Sequence, residues 1–249
     1  MRIVYGIDVG GSGIKGAPVD IEAGRLVQPR TRIETPHPAT PTAVYDTIEA
    51  ILGTDPGKVG QDGPIGVAVP AVVVHGITRT AANIDPEWVG EDARTALTER
   101  LNRPVIVLND ADAAGFAEMR YGAGRGVDGV VILLTFGTGI GSAVFVDGSL
   151  VPNTELGHLE FRGGIAEAAA AARLVERDEL DLGEWARTVD EFLHRIDRVF
   201  SPQLVVFGGG ISKRFDDYAQ WLTVSCDVVP AELRNDAGIV GAAVAAARA

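Results

Sequence analysis

A single cysteine, Cys226, stands in the 249 residues, which excludes an internal disulfide and any cysteine-rich zinc site. No apolar stretch approaches the length of a membrane span. The opening residues Arg2-Ile3-Val4-Tyr5 read as a strand and not as a signal peptide, so the expected compartment is the cytoplasm and no membrane partner is expected. Positive charge is also scarce: 22 Lys and Arg against 34 Asp and Glu give a formal net charge of −12. That balance argues against a nucleic-acid partner, and any polyanion would need a local basic patch working against the global field. What is present in quantity is apolar side chain, 46% of the chain, enough for a real core in one large domain or two small ones.

The stretch around which the rest is organised is Ile7-Asp8-Val9-Gly10-Gly11-Ser12-Gly13-Ile14-Lys15-Gly16, directly after the apolar Ile3-Val4-Tyr5. Clustered glycines at a strand end let backbone N–H groups converge on an anion, phosphate first among them, because glycine adopts positive φ cheaply and has no Cβ to block approach. The run Gly11 to Gly16 satisfies G-x-G-x-x-G, but the dinucleotide fingerprint also requires its third glycine to open a helix. Pro18 breaks a helix here, and Glu22-Ala23-Gly24 reads as a turn between short strands. The expectation is therefore a β-hairpin with a phosphate-binding tip. Leu134-Thr135-Phe136-Gly137-Thr138-Gly139-Ile140 repeats the pattern and ends in a turn at Asp147-Gly148. Two such hairpins imply duplicated α/β half-domains, the architecture that holds a phosphoryl donor in a cleft.

Taken in order, Leu26 to Ile33 reads as a third strand. Thr40 and Pro41 are an N-cap and a first-turn proline, opening an amphipathic helix through Leu52. Residues 55–63 read as a polar loop, Ile65 to Val69 as a buried strand, and Val72 to Val74 with His75-Gly76 as a hairpin. The stretch Thr80 to Pro86 lacks periodicity and reads as a loop. A helix over 91–101, a strand over Val105 to Leu108 and an alanine-rich helix from Ala111 to Tyr121 complete a first lobe, residues 1–122. The second lobe, 123–249, has helices expected over Ile165 to Glu179 and Leu182 to Val199, a strand over Leu204 to Phe207 ending in Gly208-Gly209-Gly210, and a small-residue helix from 238 that can pack back on the first lobe.

Asn109-Asp110 falls at the carboxyl end of a strand, where open α/β sheets bind ligands. A phosphotransferase needs one carboxylate there to take the proton of the attacking hydroxyl, and Asp110 suits that role or the N-cap of the following helix. Asp112 reads as a solvated first-turn acid. Glu155 and His158, three apart, can share a face and hydrogen-bond adjacent sugar hydroxyls, while a structural histidine is the plainer reading of His158. Asp8 can approach a magnesium ion at the phosphates or cap its turn. Lys15 can offset phosphoryl charge or be a solvated strand residue.

Taken together, Asp8 to Ser12, Leu108 to Gly115, Leu133 to Gly141, Glu155-Leu156-Gly157-His158 and Gly208 to Ser212 resemble the ROK family of sugar kinases. Thr80 to Asp85, Pro152 to Phe161, Val229-Pro230-Ala231 and Ala237 to Ala243 resemble its polyphosphate glucokinase subgroup, and the likeness spans almost the whole chain. The resemblance implies a two-lobed actin-like ATPase fold of the hexokinase type and a homodimer. It implies transfer to the 6-hydroxyl of glucose from polyphosphate or ATP with Mg²⁺. It makes Asp110 the base, gives Asn83, Asn109, Glu155, His158 and Glu167 to the sugar, and gives Gly10, Gly11, Ser12, Lys15, Thr135, Gly137, Thr138, Gly139, Gly208, Gly209 and Gly210 to the donor. The family's histidine and three-cysteine zinc motif is absent, as in the subgroup, so no zinc is expected. Lysines expected of the subgroup are replaced by Val73 and Gly164, leaving Arg2, Arg79, Arg120, Arg162, Lys213 and Arg214 as candidate polyanion contacts. The rival readings are a strictly ATP-dependent hexose kinase and a sugar-responsive regulator. The repressors of the family carry a helix-turn-helix before the phosphate loop, for which Asp8 leaves no room.

Overall fold

The computed structural model describes residues 2–54, 63–81 and 84–248. They form two compact units, one of residues 1–117 with 236–249 and one of residues 118–235. Among the described residues no helix is long and apolar enough to cross a membrane.

The first unit begins with the hairpin β1 (Ile3–Gly10) and β2 (Gly13–Asp20), in antiparallel register from Ile3 opposite Asp20 to Gly10 opposite Gly13. Strand β2 follows the glycine turn directly, so no helix opens at Gly16 and the dinucleotide reading is excluded. The stretch read as one third strand is two, β3 (Arg25–Leu26) and β4 (Thr31–Ile33), both paired to β2. Helix α1 (Pro41–Gly53) starts where Thr40 Oγ1 accepts the Ala43 N–H, with proline in the first turn. Strand β5 (Ile65–Val69) is buried throughout, as a central parallel strand must be. The hairpin β6 (Val73–Val74) and β7 (Ile77–Thr78) turns on His75-Gly76, both at positive φ. Helix α2 (Ala93–Leu101), capped by Asp92, leads to β8 (Val105–Asn109) and α3 (Asp110–Tyr121).

The second unit repeats this order. Strands β9 (Val130–Phe136) and β10 (Ile140–Val146) form the second glycine-tipped hairpin, continued by β11 (Ser149–Val151) and the short pair β12 (Glu160–Phe161) and β13 (Gly164–Ile165). The single helix expected over 165–179 is two pieces, α4 (Ala166–Ala170) and α5 (Arg173–Arg177). The chain is extended at Ala171, and the Arg173 N–H donates to Gly137 O, so a tertiary bond at the glycine turn overrides good helix propensity. Helix α6 (Leu182–Phe200) is capped by Asp181 and buries Trp185, Val189, Phe192, Leu193 and Ile196 on one stripe. Strand β14 (Leu204–Gly208), helix α7 (Phe215–Tyr218), β15 (Asp227–Pro230) and α8 (Ala237–Arg248) complete the chain.

The sheet orders are β3-β2-β1-β5-β8 and β11-β10-β9-β14-β15. Each runs from a three-stranded antiparallel meander into two parallel strands reached through helices, with β4 added beside β2 in the first, the duplicated arrangement of the actin-like ATPase fold. Helix α8 packs on β1 and β5 of the first unit. A Cβ at Gly66 would overlap the Ala242 carbonyl, and one at Gly6 the Ile239 carbonyl, so glycine is required for the helix backbone to lie this close. The division between the units falls inside α3. There the buried Glu118 carboxylate accepts the backbone N–H groups of Ala123, Glu232 and Leu233.

Candidate active site

In the first unit the site residues gather at the carboxyl ends of β1, β5 and β8. The turn Gly11-Ser12 is exposed, and its flanking carbonyls are tied from the side: Thr35 Oγ1 donates to Gly10 O at 2.5 Å and Arg32 Nη2 to Ser12 O at 2.6 Å. A cavity of about 280 Å³ opens beside it, lined by Val9, Gly10, Gly11, His37, Pro70 and Asp85 among others. Asp8 and Lys15 are register partners, and Lys15 Nζ lies 3.3 Å from Asp8 Oδ2. Lys15 is thus held by a carboxylate and is not a freely solvated strand residue.

Asn109, the last residue of β8, is buried. Its Oδ1 accepts from the N–H of Ala111 at 2.8 Å and of Asp112 at 3.1 Å, and its Nδ2 donates to Ala71 O. The N-cap duty considered for Asp110 therefore falls chiefly to Asn109, with Asp110 Oδ1 also accepting from Ala111 at 2.8 Å. Half-buried Asp110 is the first residue of α3. Asp112 is buried, 2% exposed, and not the solvated acid its position suggests. Asn83 lies outside the described residues.

The second unit assembles three titratable groups. His158 Nδ1 lies 3.8 Å from Glu155 Oε2, and His158 Nε2 lies 4.0 Å from Glu167 Oε1. The other oxygen of Glu167 accepts the Ile140 N–H at 3.3 Å, at the first residue beyond the turn Gly137-Thr138-Gly139. One carboxylate thus joins the histidine cluster to the glycine turn. The segment carrying Glu155 is pinned to β10 by Ser142, whose Oγ donates to Thr154 O at 2.6 Å and accepts the Leu156 N–H at 2.9 Å. Gly157 has no room for a Cβ against the Ile140 carbonyl. Burial raises the Glu155 pKa, His158 opposes the shift, and Glu167 adds to it. Thr135 and Gly208 are register partners on β9 and β14, and Gly209 and Gly210 continue past the strand end.

Sequence reasoning missed Arg32, Thr35 and Ser142. Ser142 sits on the second hairpin, where an apolar strand gives one buried hydroxyl as the only signal. Of the candidate polyanion contacts, Arg162 is held by Glu191 at 2.6 Å and Arg214 by Asp217 at 3.0 Å, which removes them as free cations. Among the described residues no cluster of three or more His, Cys, Asp or Glu gathers to hold a metal.

The ROK family model matches residues 4–170. The chain belongs to the ROK family. It is 50% identical over 242 residues to the polyphosphate glucokinase of Mycobacterium tuberculosis, covering 97% of this chain and 90% of that one. The inorganic polyphosphate/ATP-glucomannokinase of Arthrobacter sp. strain KM superposes with a TM-score of 0.95 at 48% identity, over 100% of this chain and 99% of that one. A ROK family glucokinase of Streptomyces griseus, solved with glucose and AMPPNP, superposes with a TM-score of 0.84 at 25% identity, over 99% and 100% of the two chains.

Proposed function

We propose that this ROK protein is a glucokinase that forms glucose 6-phosphate with polyphosphate or ATP as donor. The observation that carries the reading is the double engagement of Glu167, with one oxygen on the N–H beside a phosphate-type turn and the other facing His158. Such a carboxylate couples sugar orientation to donor position, which a kinase needs and a simple sugar sensor does not. The names of the relatives support the same substrate and donors.

In this reading the 6-hydroxyl oxygen attacks the terminal phosphorus. The new O–P bond forms as the anhydride P–O bond breaks, and the hydroxyl proton passes to Asp110. Asn109 positions that carboxylate by capping α3 from beneath it. Glu155, His158 and Glu167 accept and donate hydrogen bonds to the remaining hydroxyls, and the glycine turns offer N–H groups to the phosphates. Asp8 is a single, partly exposed carboxylate, 17% accessible, which fits Mg²⁺, a cation that keeps most of its waters and binds through one or two carboxylates plus substrate phosphates. When bound, that ion offsets phosphate charge.

The test is to incubate the purified protein with glucose, Mg²⁺ and either polyphosphate or ATP and to measure glucose 6-phosphate. Asp110→Asn is expected to lower kcat by about 10²- to 10⁴-fold while glucose binding, followed by calorimetry, persists. Near-normal turnover in that variant removes Asp110 as the base, and absence of product from the unaltered protein with both donors removes the kinase reading.

A further inference from the structure

The first glycine turn is flanked by a row of three charges, one of which the reaction above leaves unused. Asp8 on β1, Lys15 on β2 and Arg32 on β4 are successive register partners, so their side chains stand on one face of the sheet. Lys15 answers Asp8. Just before that strand, Arg30 answers Asp236 at 2.5 Å. Arg32 differs from both. Among the described residues no carboxylate lies within ion-pair distance of it, and its one protein hydrogen bond is from Nη2 to the carbonyl of Ser12, at the turn itself. Its guanidinium lies against Gly13, at the end of the turn where a Cβ would strike Nε. The group is exposed, and a guanidinium carries five N–H donors in a fixed fork. An uncompensated, oriented cation at an anion-binding turn, in a chain of net charge −12, is matched to an anion from outside the protein.

We propose that Arg32 is a donor-binding residue of the kinase, contacting a phosphate of the phosphoanhydride chain that lies over the Gly10–Gly13 turn. The proposal rests on the phosphotransfer reading and adds to it a residue and a charge requirement. Inorganic polyphosphate and a nucleoside triphosphate share this chemistry. The longer polyanion reaches more cations, so its binding is the more sensitive to salt.

The test compares Arg32→Gln, Arg32→Lys and Thr35→Val. The glutamine can still donate to Ser12 O but carries no charge. The lysine keeps the charge. The valine loosens the turn from its other side, at Gly10 O, without altering charge. Arg32→Gln is expected to raise KM for polyphosphate about tenfold or more, the effect of losing one charge-assisted hydrogen bond, with a smaller rise for ATP and with KM for glucose within twofold. It is also expected to flatten the dependence of donor KM on salt. Arg32→Lys should recover most of the affinity, and Thr35→Val should leave the salt dependence unchanged. Calorimetry with inorganic tripolyphosphate reads the same contact without turnover, and weaker binding to Arg32→Gln than to the unaltered protein is the expected result. Equal tripolyphosphate binding by the two, or an unchanged salt dependence in Arg32→Gln, overturns the proposal. If the unaltered protein binds tripolyphosphate through Arg32 yet makes no glucose 6-phosphate, the kinase reading fails and the anion contact stands.

Discussion

The sheet of residues 1–117 and the sheet of residues 118–235 share one strand order but cover their faces differently. Counting back four residues from the turn glycines Gly10 and Gly137 gives Gly6 in the first and Leu133 in the second. Their parallel partners are Gly66 and Val206. On the first sheet these positions carry no side chain, and the backbone of α8 comes down onto them. On the second they carry buried leucine and valine. The opposite faces also differ. The first is packed by Ile7, Val9, Ile48, Val67 and Trp88, a largely aliphatic set. The second has a connected aromatic core, in which Phe136 meets Trp185 and Phe207, and Trp185 meets Tyr218. A duplicated strand order therefore does not fix a duplicated core. A helix seated on glycines leaves nothing to repack, whereas side chains meeting side chains can yield by small rotations.

The sharpest way to break this comparison is at the glycine seat. Gly66→Val is expected to cost at least ~3 kcal/mol and to free the helix Ala237–Arg248, because its branches meet backbone and not a movable side chain. The matching Val206→Ala should cost about 1–3 kcal/mol as an ordinary cavity. Chemical denaturation of both, with proteolysis of the terminal helix in the first, tests the order; equal costs would remove the distinction.

Next in size is a contrast of polar chemistry. The acids at the first sheet's edge are answered by Lys15 or by a helix start, while Glu155 stands with His158 and Glu167 under partial burial. Glu155→Gln is expected to raise KM for glucose by about tenfold, the loss of a charged hydrogen-bond acceptor. In the unaltered protein glucose affinity should fall as pH drops through the raised Glu155 pKa, and the variant should lose that dependence. The sign for stability is opposite. A carboxyl whose pKa rises on folding favours the folded state most below its unfolded value and loses that contribution as pH rises through the folded value. Glu155→Gln should therefore melt slightly higher at neutral pH, by less than about 1 kcal/mol given its partial exposure, and the gain should vanish in acid.

The smallest effect probes the aromatic core. The Tyr218 hydroxyl is buried and finds no hydrogen-bond partner among the described residues, and burial raises its pKa. Tyr218→Phe should stabilise the protein by about 1 kcal/mol, since an unanswered buried hydroxyl costs on that order. A drop in melting temperature would mean that the hydroxyl is satisfied in solution and that this core is less dry than its aromatic packing implies.

Much of this was legible from local chemistry. Pro18 and the turn at Glu22 to Gly24 separate a hairpin from a dinucleotide-binding helix, and Thr40-Pro41 marks the start of α1, because both signals act within a few residues. The break at Ala171 was not legible. Alanine favours helix, and the bond that stops it comes from Gly137, more than thirty residues earlier. Asp112 misleads for a similar reason: a first-turn acid is usually solvated, and only the packing around α3 shows it buried. In the site, Glu155 and His158 declare themselves by spacing. The approach of Glu167 to both His158 and Ile140 depends on the broken helix that carries it. Arg32 gives no sequence signal, since an arginine on a short edge strand is ordinarily a solubilising residue.

Helix α8, which closes one face of the first sheet, is synthesised only after every residue of the second unit. At translation speeds of about 5–20 residues per second, the strands with Gly6 and Gly66 wait on the order of ten seconds or more for their cover. The later-made unit is thus fully synthesised before the helix that covers the earlier-made one.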